Sequence, residues 1–258
     1  MPGDVSRSGP VTDCVEAVEI WLVGAGPMAQ AYAAVLSDMG RPCRVIGRGA
    51  ASAATFERAT GRPVVIGGLE AFLVRNGPAA GPISAIVATP VDALARSAAA
   101  LIEAGISLLL VEKPAGLNPD EVAGLAALAE RRGARAHVAY NRRFHASAHR
   151  ARVLIAQDGG ALSFRLELSE FASRIADSAH PEAVKRNWLY ANVLDLAFFL
   201  GGFPARLEAR AQGRLDWHPA GARFAGHGVT SGARSSPIWP TGTRRRAGQS
   251  RSTPPAGR

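Results

Sequence analysis

Cysteine is scarce in this chain, with only Cys14 and Cys43 among 258 residues. The two have neither the paired spacing of a metal site nor the even framework of a disulfide-stapled domain. That excludes a small secreted scaffold and suits a reducing cytoplasm. Long apolar runs are missing too. The apolar fraction is 47%, yet no run approaches the ~18–20 residues of a membrane span. Residues 1–13 lack the basic-then-apolar order of a secretory leader. No acidic residue follows Asp216, and seven arginines stand beyond it. Up to that point 23 basic residues face 21 acidic ones, so most of the net charge of +9 belongs to the end of the chain. The folded body therefore gives no reason to expect a nucleic-acid partner or a membrane partner.

What is present is an alternation of strand and helix signals. Residues 18–23 form an apolar run ending in glycines, as a buried first strand would. Residues 27–37 show near-helical spacing and stop at Gly40. The same reading places strands at 43–46, 63–66, 83–88, 107–111 and 137–140. It places helices at 50–60, 91–103 and 118–132. Asn118-Pro119-Asp120-Glu121 is a strong helix start: a capping asparagine, a proline in the first turn and a glutamate three residues on. Short loops between such elements imply parallel strands with right-handed crossovers, an α/β doubly wound sheet. After Phe144 the pattern changes. Helices are expected at 146–156 and 187–200, and strands at 161–169 and 207–215, as in an α+β unit. The expected division is a dinucleotide-binding domain over 14–140, a second domain over 141–232, and a basic tail over 233–258. That tail reads as disordered, as an out-of-frame end, or as a basic arm.

Three motifs carry chemistry. Gly24-Ala25-Gly26-Pro27-Met28-Ala29 is GxGxxA between a strand and a helix. Gly24 permits the tight turn, Gly26 lets backbone approach a pyrophosphate, and Ala29 allows close packing of helix on strand. Some 20 residues on, an NAD site would place an acid on the ribose hydroxyls, but Gly47-Arg48-Gly49 stands there. A guanidinium pairs with a 2′-phosphate and cannot accept from a hydroxyl, so NADP is favoured over NAD. Glu112-Lys113-Pro114 follows the fifth strand directly, at the edge where doubly wound sheets bind ligands. Lys113 there can give a hydrogen bond or a proton to an alcohol or carbonyl.

These motifs come in the order GxGxxA, Ala88-Thr89-Pro90, Val111-Glu112-Lys113-Pro114, Val138-Ala139-Tyr140-Asn141-Arg142-Arg143-Phe144. In that order the chain, over roughly residues 18–231, resembles the glucose–fructose oxidoreductase / inositol dehydrogenase family, in particular its sugar and surface-polysaccharide members. The resemblance implies a second domain with an open, mostly antiparallel sheet and frequent homo-oligomers through it. It implies NAD(P)-linked oxidation or reduction of a sugar, sugar nucleotide or polyol. Lys113 falls in its catalytic group, and Thr89, Pro90, Glu112, Lys113 and Arg142 join the glycine loop in cofactor binding.

There are departures. Family members carry a histidine three residues before an aspartate in the helix matched by 187–200. Here the aspartate is Asp195 and position 192 is Asn. Asparagine orients a hydroxyl but has no titrating proton near neutral pH. Asn192 and Asp195 are thus expected to shape the pocket, and a catalytically impaired cofactor-binding protein is the rival reading. Family members also continue with further strands where the tail stands here. His145 and His149, at i and i+4, read as surface histidines, and no metal is expected. Arg142, Arg143, Arg150 and Arg152 either hold an anionic substrate such as a nucleotide diphosphate or form a solvated face and interdomain salt bridges. Trp188, Tyr190, Phe198 and Phe199 read as core.

Overall fold

The structure, a computed structural model, describes residues 19–77, 81, 83–167, 191–215 and 223–230. Strands and helices alternate through the first part. They are β1 (Glu19–Val23), α1 (Pro27–Asp38), β2 (Cys43–Ile46), α2 (Ala50–Thr60), β3 (Val64–Val65), α3 (Gly68–Asn76), β4 (Ile83–Val87), α4 (Val91–Glu103), β5 (Leu108–Val111), α5 (Pro119–Arg132) and β6 (Arg135–Val138). A short 3₁₀ turn (Asn141–Phe144), α6 (Ala146–Gln157), α7 (Ala191–Gly201), β7 (Pro204–Gln212) and β8 (Arg223–Thr230) follow.

The first six strands form one parallel sheet in the order β3-β2-β1-β4-β5-β6. That is the doubly wound arrangement expected of the sequence, its order reversing between β1 and β4. Side chains alternate across the strands, so the sheet has a core on each face, the second built on β1 to β4 alone. Trp21, Val23, Val87, Leu109 and Val111 pack with Leu94, Leu101 and Ile102 of α4, Leu125 of α5 and Phe72 of α3. Leu22 and Val45 pack the other way, against Ala29 and Ala33 of α1 and Ala53 and Phe56 of α2. Trp21 meets Phe72 edge-on, ring centres 4.9 Å apart.

The helix start at Asn118 forms as its sequence requires. The Asn118 Oδ1 accepts from the Glu121 backbone N–H at 2.9 Å, and the Glu121 Oε2 accepts from the Leu117 N–H at 2.9 Å. Helix α3 has no counterpart in the sequence reading. It opens on Gly67-Gly68, both at positive φ, a pair that reads as a loop. Leu69, Phe72 and Leu73 nevertheless carry helical spacing and bury themselves in the core.

The second part departs further from its pattern. Residues 161–167 of the strand expected at 161–169 have no regular structure, and 168–169 lie outside the described residues. Alternation alone does not make a strand, and residues 161–167 are largely exposed with no strand partner among the described residues. The strand expected at 207–215 begins earlier, at Pro204, and pairs antiparallel with β8. Helix α7 covers part of the expected 187–200, and residues 187–190, with Trp188 and Tyr190, lie outside the described residues. So do Cys14 and the tail at 233–258.

Candidate active site

The parallel strands end at one level. Just past each strand, a backbone N–H donates to the last carbonyl of the strand beside it. Gly47 donates to Val65, Gly24 to Ile46, Ala88 to Val23, Glu112 to Val87 and Ala139 to Val111, at 2.7–2.9 Å. The residues one or two places further on are Arg48, Gly26, Thr89, Lys113 and Tyr140. Sequence positions more than a hundred residues apart thereby reach one rim of the sheet, its carboxyl edge.

At the reversal point, Gly24 has φ +127°, and a Cβ there would lie 2.3 Å from the Ala88 carbonyl oxygen. Only glycine fits. Gly26 is different: it caps α1 with extended backbone and makes no side-chain cap bond, and a Cβ there would meet nothing within 4 Å. Pro27 and Met28 are exposed in the first turn, while Ala29 is fully buried against the sheet. There is thus open space beside Gly26 at the positive end of a helix with no acid in its first turn.

Thr89 and Pro90 leave β4 beside this loop. The Thr89 Oγ1 is buried and has no hydrogen-bond partner among the described residues, a state that costs about 1–3 kcal/mol unless a ligand supplies the partner. Arg48 is exposed just past β2, and α2 starts two residues on, again with no acid in its first turn. A bare helix N-terminus, an open glycine, an orphaned hydroxyl and a rim arginine fit an anionic dinucleotide laid along the edge.

Glu112 and Lys113 leave β5, and the Lys113–Pro114 peptide bond is cis. Lys113 is half-buried, and its side chain has no hydrogen bond or ion pair among the described residues. Glu112 is 9% exposed and accepts a hydrogen bond from the Tyr32 hydroxyl of α1 at 2.6 Å. Burial, and then the Glu112 carboxylate, pushes the Tyr32 phenol well above its ordinary value.

Beyond β6, the Arg143 guanidinium forks onto Asp195 of α7. Its Nε lies 2.8 and 3.1 Å from the two carboxylate oxygens, and its Nη2 also donates to Oδ1. The Asp195 side chain is 6% exposed. Arg143 also lies over the rings of Tyr140 and Phe199, and Arg152 covers Phe199 at 4.7 Å. Asp195 holds Arg143 firmly in its charged form. Burial, and then Asp195, pushes the Tyr140 phenol up against the opposing pull of Arg143. Both Asp195 oxygens are engaged, so this carboxylate ties α7 to the turn after β6. Asn192 lies three residues earlier on α7. Arg142 is exposed, as are His145 and His149. Among the described residues no group of three histidine, cysteine or carboxylate side chains could hold a metal ion.

Sequence reasoning missed Tyr32, and it named Arg143 only within a cluster open to an anion or to interdomain salt bridges, without Asp195 as the partner. Tyr32 had a local signal, a polar aromatic three residues after Ala29 on the buried face of α1. Arg143 had none, since its partner stands 52 residues away.

Residues 18–140 match the model of an oxidoreductase family with an NAD-binding Rossmann fold. No curated protein matches the chain. Among solved structures it is similar to the WlbA dehydrogenase from Bordetella pertussis in complex with NADH and UDP-GlcNAcA. The two are 16% identical with TM-score 0.62, over 87% of this chain and 66% of that one. It is similar to levoglucosan dehydrogenase in complex with NADH and levoglucosan, at 18% identity and TM-score 0.65, over 84% and 64%. GenD2 from gentamicin A biosynthesis, in complex with NAD, gives 22% identity and TM-score 0.61, over 90% and 67%. Across eight such structures this chain spans 56–68% of the other's length. At these identities the likeness is one of fold.

The two glycines of the loop separate folding from binding. Gly24→Ala should cost about 1–3 kcal/mol of stability in denaturant melts, through the clash with Ala88 and the positive φ. Gly26→Ala should cost within about 1 kcal/mol, yet weaken NAD(P)H binding tenfold or more, since its methyl would occupy the phosphate's space. Unchanged affinity in Gly26→Ala would place the cofactor elsewhere.

Proposed function

We propose that this chain, whose residues 18–140 belong to the oxidoreductase family with an NAD-binding Rossmann fold, is an NAD(P)-dependent oxidoreductase of a sugar, sugar nucleotide or polyol. Its cofactor unit runs over 14–140 and its substrate unit over 141–232. The observation that carries the reading is the shared rim, which brings Gly24, Gly26, Thr89 and Lys113 to one carboxyl edge. Gly26, Pro27, Met28 and Ala29 receive the pyrophosphate, and Thr89 and Pro90 line its path. Arg48 lies where the adenosine ribose carries a 2′-phosphate, which favours NADP. Arg142 lies on the turn after β6, open to an anionic group.

When bound, the nicotinamide takes up or supplies the hydride of an alcohol–ketone pair. Lys113 stands at the reacting end. As the ammonium it donates to the substrate oxygen, and as the free amine it takes the hydroxyl proton while the carbon gives up its hydride. Asn192 and Asp195 shape the pocket: Asn192 can orient a hydroxyl, and Asp195 fixes α7 through Arg143. Any homo-oligomer contact belongs on the sheet of β7 and β8, where Leu207 and Val229 are exposed. No helix among the described residues is long and apolar enough to cross a membrane.

A second reading, a cofactor-binding protein with little turnover, has a specific support. The two residues read as companions of Lys113 are an asparagine, which does not titrate, and an aspartate already committed to Arg143. The two readings share the cofactor site and differ in rate.

Two measurements follow. Fluorescence titration should show NADPH binding more tightly than NADH. NADH tighter by about tenfold, or ~1.4 kcal/mol, would remove Arg48 from the adenosine end. In steady-state assays over sugars and sugar nucleotides, Lys113→Ala should lower kcat by about 10²–10⁴-fold and weaken cofactor binding far less than that. Turnover that survives Lys113→Ala would assign the chemistry to other residues.

A further inference from the structure

Over the whole residue, backbone included, Glu112 and Ser97 are the polar or charged residues buried among those described, while Asp195 is buried in its side chain. A buried carboxylate must be satisfied, because leaving it unpaired costs more than any one hydrogen bond returns. Two donors stand close to it, one in space and one in sequence. One is the neutral Tyr32 hydroxyl, which it has at 2.6 Å. The other is the ammonium of the very next residue, Lys113.

The backbone on both sides of Glu112 is already fixed. Its N–H donates to the Val87 carbonyl, and its own carbonyl accepts from the Ala115 N–H, each at 2.9 Å. The choice of partner is therefore left to the side chain. Tyr32 is held in turn, since Ala29 and Ala33 on the same face of α1 are buried to 0% and 1% exposure. That helix is also the one whose N-terminus is read as the pyrophosphate site.

We propose that Tyr32 is a positioning residue for Lys113: by engaging the Glu112 carboxylate from α1 it keeps that carboxylate off the neighbouring amine, so that Lys113 stays free for a substrate oxygen. An ammonium captured by a carboxylate holds its proton and is a poor partner for proton transfer. The phenol satisfies the buried charge without adding a charge of its own.

The proposal rests on Lys113 lying at the reacting end. Its test needs neither cofactor nor substrate, so a failed dehydrogenase assay and a failed test are separate outcomes. Lysine is rare in this chain: Lys113 and Lys185 are the two. Treatment of the full chain with an amine-specific acylating reagent, followed by peptide mass spectrometry, thus reads the rate at Lys113 against Lys185 as internal standard.

In Tyr32→Phe, capture by Glu112 should slow labelling of Lys113 relative to Lys185 about tenfold, the change of free amine for about one pH unit. Adding Glu112→Gln to Tyr32→Phe should restore the original ratio. Simple loosening of the site would instead speed labelling, and the double variant would not restore it. If Tyr32→Phe does not fold, Glu112→Gln alone decides. With Tyr32 in command of the carboxylate, that change should move the ratio less than about threefold, whereas an amine already held by Glu112 would be released and label about tenfold faster. An unchanged or raised ratio in folded Tyr32→Phe, or a tenfold gain in Glu112→Gln, overturns the proposal.

Discussion

A Cβ on residue 24 would lie 2.3 Å from the Ala88 carbonyl oxygen, so β1 and β4 end side by side only because Gly24 has none. That close approach lets the Ala88 N–H reach the Val23 carbonyl at 2.7 Å and the Gly24 N–H reach Ile46 at 2.8 Å. The same ladder continues through Glu112 and Ala139. Each loop therefore starts from a hydrogen-bonded position on a rigid sheet, and the groups it carries are placed by strand register. The orphaned Thr89 hydroxyl, the bare start of α1 and Lys113 are consequences of where the strands stop.

Two buried polar ties then lock what the ladder leaves free. Tyr32 to Glu112 joins the helix behind the glycine loop to the loop carrying Lys113, across 80 residues of sequence. Arg143 to Asp195 joins the turn after β6 to α7, across 52. A charge-assisted hydrogen bond of this kind is worth about 1.5–3 kcal/mol, but its geometric effect matters more here. A neutral phenol occupies one carboxylate and a guanidinium occupies the other. Lys113, between β4 and β6 in the sheet order, is left without a side-chain partner among the described residues.

Much of this was legible in the sequence. Buried strands declare themselves as apolar runs, and GxGxxA, Asn118 with Glu121, and the lysine after β5 carry local chemistry that needs no tertiary partner. The failures share one cause. Helix α3 opens on two glycines and owes its existence to the core that takes Leu69 and Phe72. Residues 161–167 alternate as a strand does and have no strand beside them among the described residues, whereas the glycine-rich β8 pairs with β7 along its length. Tyr32 and Arg143 acquire their roles from carboxylates far away in sequence. Local periodicity cannot report a partner that only the folded chain brings near.

The central claim is that the carboxyl edge holds a nicotinamide dinucleotide with its reacting end beside Lys113. A crystal structure of the full chain with NADPH tests it most directly. The expected result has the pyrophosphate accepting from the backbone N–H groups of Met28 and Ala29, the 2′-phosphate on Arg48, and the nicotinamide next to Lys113. A cofactor seated away from α1, or with its nicotinamide remote from Lys113, would contradict it.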